Sequence, residues 1–249
     1  MKILENLPYG HHPDQILDLY LPEKSTLPTF VYFHGGGFES DLGKKEKGRP
    51  MAEYLAARGA AVVCSEYRKY PEASYPDFLK DCAAAAGWAY RHLEEYGCST
   101  RLCLGGSSAG GYASMMLCFD RRWLAPHKLP ADAVVGYFHD AGQPTTHFNV
   151  LRERGFDPKR VIVDDAAPLY HIGELTDVPP MHFVVSDHDI ENRYEQTMLV
   201  LSTMKHLGYD MSRVSCEVRA GKHCAYIRQL DEEGLSVFGQ MVFDFLKKL

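Results

Sequence analysis

The chain has 249 residues, 45% of them hydrophobic, and a formal net charge of −6. That length suits one large α/β domain, and the acidic balance argues against a nucleic-acid binder, which carries a basic patch. The opening "MKILENLPYGHHPDQ" has no apolar stretch of signal-peptide length, and no segment nears the roughly 18 apolar residues of a membrane span. A soluble, cytoplasmic protein without membrane contact is the expectation.

In chain order, "ILDLYL" (16–21) alternates apolar and polar residues and reads as an edge strand. "FVYFH" (30–34), "AAVVCSEY" (60–67), "RLCLGG" (101–106), "AVVGYF" (133–138), "MHFVVS" (181–186) and "VSCEVRA" (214–220) are further strand candidates. Between Pro76 and Tyr96, Phe78, Cys82, Ala85, Ala89, Leu93 and Tyr96 fall three and four apart, predicting a helix that Gly97 stops. Tyr194, Met198, Leu201 and Met204 predict another over 192–207, ended by Gly208. A last helix runs through "GLSVFGQMVFDFLKKL", with Lys247 and Lys248 near its negative C-terminal end. Strands alternating with helices imply a mostly parallel sheet, and the absence of repeats or linkers implies one domain over 1–249. The segment from His139 to Ile172 breaks the pattern. It is open to two readings, a lid or substrate loop and a charged surface helix.

Seven cysteines, Cys64, Cys82, Cys98, Cys103, Cys118, Cys216 and Cys224, are scattered without C-x-x-C spacing. They suit reduced, buried thiols better than a disulfide framework or a zinc site. The twelve histidines include no H-E-x-x-H, so no metal and no other cofactor is expected.

Chemistry concentrates in two glycine-rich stretches. Gly106-Ser107-Ser108-Ala109-Gly110 fits G-x-S-x-G with Ser108 at its centre, between a strand candidate and the helical "AGGYASMMLCF". That is the context of a nucleophile elbow: a sharp turn projects the serine, and a side chain two residues to either side would clash. The helix start directs N–H groups and a positive dipole end at a developing negative charge. Ser107 occupies the x position. "HGGGF" (34–38) follows another strand candidate, and its glycines let backbone N–H groups approach an oxyanion.

Together these residues resemble the α/β-hydrolase fold, and within it the hormone-sensitive-lipase-like esterases and related small carboxylesterases. "EYRKYPEASYP" (66–76), Asp81, Trp88, "LDLYLP" (17–22) and "APLY" (167–170) are similar to segments of that family. The resemblance implies a doubly covered, mostly parallel sheet and a triad in the order Ser, acid, His. It also implies an oxyanion hole of the Gly36, Gly37 and Ala109 N–H groups. With 33 residues before His34, where larger members carry a helical cap, a reduced cap and an open site are expected.

After Ser108 and a later acid, His206 and His223 remain as bases. His206 lies at a helix C-terminus, which explains it, whereas His223 follows a strand end, so His223 is the expected base. "VVSDHDI" (184–190) offers Asp187 and Asp189. The family register, resembling G-x-x-D, places Ser186 on the glycine and Asp189 on the acid. The reaction implied is hydrolysis of a short-chain, acetyl-like carboxylic ester on Ser108 without a cofactor. An arylformamidase acting on N-formylkynurenine-type formamides is the runner-up, and a non-catalytic binding protein of this fold is the remote alternative. The expected partner is a small-molecule ester; a homo-oligomer is left open.

Overall fold

The computed structural model describes all 249 residues. Eight strands form one sheet: β1 (Lys2–Pro8), β2 (Ile16–Leu21), β3 (Thr29–Phe33), β4 (Val62–Ser65), β5 (Leu102–Ser107), β6 (Val134–Asp140), β7 (Met181–His188) and β8 (Val214–Lys222). Seven helices cover it: α1 (Arg49–Ala56), α2 (Asp77–His92), α3 (Ala109–Phe119), α4 (Phe148–Glu153), α5 (Pro168–His171), α6 (Arg193–His206) and α7 (Val237–Leu246). The strand order is β1-β2-β4-β3-β5-β6-β7-β8. β2 pairs antiparallel with both β1 and β4, and every other pairing is parallel.

Alternation along each strand splits the interior in two. On β3, Val31 and Phe33 point into a core shared with α2, α3 and α6. Phe30 and Tyr32 point to the opposite face, where α1 and α7 contribute Met51, Leu55, Phe238 and Val242. α3 is buried along all 11 residues. A helix apolar all round belongs inside, and this one packs between the sheet and its neighbours.

The chain leaves β3 toward β4 on one side and β5 toward β6 on the other. The carboxyl ends of β3 and β5 therefore border a topological switch point, where open α/β sheets form their crevice. The two glycine-rich stretches follow these two strands.

The expected strands and helices all form, with shifts of a few residues at their ends. Besides the short α4 and α5 within the 139–172 segment, two elements were not foreseen. β1, "KILENLP", carries polar residues on both faces and pairs outside β2, so "ILDLYL" is an interior strand and not the edge. α1, "RPMAEYLA", has proline in its first turn and buries only Met51, Ala52, Leu55 and Ala56. The 33 residues before His34 are spent on β1, β2 and β3 and the turns joining them. Five cysteines are buried as expected, but Cys216 is exposed on the outer strand β8 and Cys224 is half-buried.

Candidate active site

β5 delivers its chain to α3 through Ser108, whose φ of 55° and ψ of −111° lie outside the regions open to L-residues at low energy. The surroundings hold that conformation. The Ser108 N–H donates to the Asp140 carbonyl at 2.8 Å, tying the turn to the end of β6. A Cβ on Gly106 would stand 2.5 Å from the backbone of Gly110, and one on Gly110 would press into the Phe33 carbonyl. Both positions need glycine because β3 and α3 pass so close to the turn.

The same end of the sheet supplies the partners. His223, just beyond β8, places Nε2 2.9 Å from Ser108 Oγ. Its Nδ1 lies 2.5 Å from the Asp189 carboxylate in the turn after β7. Asp189 is almost fully enclosed, with a side chain 1% exposed. It also accepts from the N–H groups of Ser186 at 3.1 Å and Ile190 at 2.7 Å. Burial works to raise its pKa, but the His223 hydrogen bond and charge, with those two N–H groups, hold the carboxyl below its usual range. Asp187 faces elsewhere and accepts the Gly221 N–H at 2.8 Å. His206 is exposed at the end of α6, away from this group.

The loop after β3 faces the serine. Gly36 and Gly37 have φ of 122° and 66°, which glycine alone adopts cheaply. None of the N–H groups of Gly36, Gly37 or Ala109 meets a protein acceptor, and that of Ala109 belongs to the open first turn of α3. An oxyanion formed on a carbonyl attacked by Ser108 is the kind of acceptor such groups stabilise.

Charge fixes this loop from below. His34 Nε2 donates to Glu66 Oε1 at 2.8 Å, and its Nδ1 lies 2.7 Å from the Gly35 carbonyl. Its ring stacks on Tyr67 at 4.3 Å, and the Tyr67 hydroxyl donates to the His34 carbonyl at 2.6 Å. Glu66 also binds Lys69 Nζ and the Lys45 N–H. Burial acts to raise the Glu66 pKa, yet His34 and Lys69 pull the carboxyl down to about 2. Lys45 in turn reaches both oxygens of buried Asp18 at 2.8 Å. The "EYR" run thus has two structural tasks, since Arg68 makes a two-pronged bond to Asp81 at 2.8 Å.

Reading the sequence missed Asp140. It is completely buried beneath the Ser108–His223–Asp189 line, its carboxylate accepting the Tyr226 hydroxyl and lying 3.9 Å from Cys224 Sγ. Burial pushes its carboxyl up to about 6, against hydrogen bonds from Ser107 and Tyr226. Ser107 is therefore occupied: it is buried, and its hydroxyl accepts from Tyr32 at 3.2 Å. The signal available was an acid ending a strand at the crevice side.

The 139–172 segment divides. Residues 139–151 are mostly buried, and Asn149 donates to the Gly37 carbonyl at 2.5 Å and to Glu39 at 2.9 Å. Residues 152–165 are mostly exposed and folded back by an Arg154–Asp164 pair at 2.8 Å. α4 stands between two cavities of about 500 and 400 Å³, both of which Arg152 lines. The larger is edged by Glu39, Asp41, Tyr70 and Glu153; the smaller by Phe148, Lys159, Arg160, Ile190 and Arg193.

The BD-FAE family model matches residues 17–129. An acetyl-hydrolase of Streptomyces hygroscopicus is 32% identical over 208 residues, covering 73% of this chain and 65% of that protein. A probable isoprenylcysteine alpha-carbonyl methylesterase of Arabidopsis thaliana is 34% identical over 111 residues, or 44% of this chain and 23% of that protein. The chain thus matches only about a quarter of the length of such plant relatives. Among solved structures, an esterase from Thermogutta terrifontis with bound propionate superposes with a TM-score of 0.76 at 21% identity. That match covers 98% of this chain and 93% of the other. Esterase B from Lactobacillus rhamnosis gives 0.77 at 20% identity, over 99% and 86% of the two chains.

Proposed function

We propose that this chain, which has the α/β-hydrolase fold, is a serine carboxylic ester hydrolase acting through an acyl-enzyme on Ser108. The observation that carries this reading is the continuous hydrogen-bonded line Ser108–His223–Asp189, at 2.9 and 2.5 Å, beside the N–H groups of Gly36, Gly37 and Ala109. Relatives named as esterases, an acetyl-hydrolase and methylesterases support it.

In the mechanism, His223 Nε2 takes the Ser108 proton as the hydroxyl attacks the ester carbonyl. Asp189 holds Nδ1 protonated and stabilises the imidazolium that results. The oxyanion is received by the three N–H groups, one such donor being worth about 10²–10³ in rate. His223 then gives its proton to the departing alkoxide. Water, deprotonated by the same ring, releases the acid. Asp140 lies behind this line and takes no proton from substrate; its carbonyl holds the Ser108 N–H.

Short acyl groups fit best. Of the ten residues edging the larger cavity only Tyr70 and Ala73 are hydrophobic, so few apolar side chains stand ready to pack against a long alkyl chain. Each methylene left unburied forgoes about 0.8 kcal/mol. The named acetyl-hydrolase and the propionate-bound esterase point the same way. On p-nitrophenyl esters, kcat/KM should peak between acetyl and butyryl; a steady rise to twelve carbons would reject the short-chain assignment. A much higher rate on N-formylkynurenine would move the chemistry to formamide hydrolysis.

The nucleophile is tested by covalent labelling with an organophosphonate. Ser108→Ala should abolish labelling and Ser107→Ala retain it. Asp189→Asn should cost kcat about 10⁴-fold, as the corresponding change does in a serine protease triad, while Asp187→Asn costs far less. Labelling that survives Ser108→Ala sinks the proposal.

A further inference from the structure

The smaller cavity beside α4 carries an imbalance of charge. Arg152, Lys159, Arg160 and Arg193 line it, against one acid, Glu191. Arg152 is already paired with Glu39 at 3.0 Å. No carboxylate pairs with the other three. Arg193 is the telling member, because it is only 4% exposed and its one hydrogen bond goes to the Ala141 carbonyl. Asp189 favours its charge from a distance, but no carboxylate touches it; a buried guanidinium without a contact ion pair is costly, and its five donors match a carboxylate in a two-pronged geometry. The lining Gln196 adds an independent sign: its Oε1 is buried and meets no donor in the protein. An unsatisfied acceptor beside an unpaired cation describes a wall shaped for a polar ligand.

The cavity also begins where the chemistry ends. Ile190, in its wall, follows Asp189 and donates its N–H to that carboxylate at 2.7 Å. Phe148, in the opposite wall, stands 3.2 Å from where a Cβ on Gly37 would be. The Asp189 side is the side of His223, and His223 must reach the oxygen of the departing alcohol. A cavity bordered by Ile190 of the Asp189 turn and by Phe148 beside the Gly37 loop can receive the alcohol portion of an ester held at Ser108.

We propose that this cavity is a specificity subsite for an anionic group, a carboxylate in the simplest case, on the alcohol portion of the ester. Arg193 binds it directly, Lys159 and Arg160 attract it from the rim, and Gln196 accepts from a neighbouring hydroxyl or N–H of the same molecule. The proposal rests on the esterase reading above, and its test separates the two.

Two measurements decide it. The first is kcat/KM on 4-acetoxybenzoate relative to its neutral counterpart 4-acetoxybenzamide. The second is calorimetric binding of the uncleaved amides 4-acetamidobenzoate and 4-acetamidobenzamide. The wild-type protein should favour the carboxylate at least tenfold in both, and the preference should shrink in 0.5 M salt as screening predicts. Arg193→Gln should bring the ratio close to one, mostly through KM. Lys159→Gln combined with Arg160→Gln, both at exposed positions, should lower it several-fold, which keeps the test alive if Arg193→Gln does not fold. A wild-type ratio near one, or a ratio unmoved by these substitutions, overturns the subsite. Selective binding of 4-acetamidobenzoate by a protein that hydrolyses neither ester would uphold the subsite and reject the esterase reading.

Discussion

The turn that carries Ser108 and the loop from His34 to Gly37 meet across the crevice, but they are fixed by different forces. Around Ser108 the constraint is volume. Gly106, Gly110 and the backbone of β3 approach so closely that a single added carbon has nowhere to go. Under the loop the constraint is charge, carried by His34, Glu66, Lys69, Lys45 and Asp18, with most of their side chains hidden from water. Packing holds a geometry at every pH, whereas buried ions hold it only while each partner stays charged. One site thus joins a part indifferent to solution conditions with a part sensitive to them.

The contrast can be broken most severely at Lys45. Lys45→Met strands the buried Asp18 carboxylate, a change that costs about 3–5 kcal/mol when a buried pair loses one member. Chemical denaturation should show that loss, and kcat should fall in the surviving folded protein as the loop loosens. Equal stability of variant and wild type would mean that the ion network does not hold the loop.

Asp140 tests the boundary between the two parts, because it is a charge placed under the packed side. Its carboxyl, at about 6 in the folded protein, lies above the unfolded value of 3.8. The folded state therefore binds the extra proton between those values, and stability falls as pH rises from about 4 to 6, levelling off above. The full amplitude is about 3 kcal/mol. Asp140→Asn should remove that part of the pH dependence and be relatively more stable at neutral pH. An unchanged stability–pH curve would contradict the burial effect.

The smallest perturbation sharpens the comparison at the point of contact. A Cβ on Gly35 would sit 3.0 Å from the Ser107 carbonyl and 3.2 Å from Ser108 Cβ, so both sides must yield by a few tenths of an ångström. Gly35→Ala should cost about 1–3 kcal/mol of stability, the range for overpacking. It should lower kcat more than KM, since it moves Ser108 relative to the N–H groups of Gly36 and Gly37. A variant with wild-type kcat would show that the crevice tolerates such a shift.

Legibility in the sequence follows the same division. Glycine constraints are local, so G-x-S-x-G and HGGG announce the turn and the loop from a few neighbouring letters. His223 could be separated from His206 because each sits at the end of a recognisable element. Choosing Asp189 over Asp187 required a borrowed register; the structure puts Asp189 against His223 and turns Asp187 to the Gly221 backbone. The ions could not be read in this way. Lys45 meets Asp18 across 27 residues, and in a linear text each looks like an ordinary solvated charge. Arg193 at the start of α6 hides for the same reason. β1 was missed because an outer strand wetted on both faces loses the alternation that marks a strand.

The burial of α3 on every side has a consequence for motion. Its amide hydrogens can reach solvent only when the surrounding layers separate, so their exchange is paced by opening of the whole molecule and not by local fraying. Ser108 caps that helix. The outer half of the 139–172 segment, mostly exposed from residue 152 to 165, has few buried contacts to break and should exchange well before α3. The proposed nucleophile thus sits on the most enclosed helix of the protein, while the wall of the proposed subsite lies in a segment open to water.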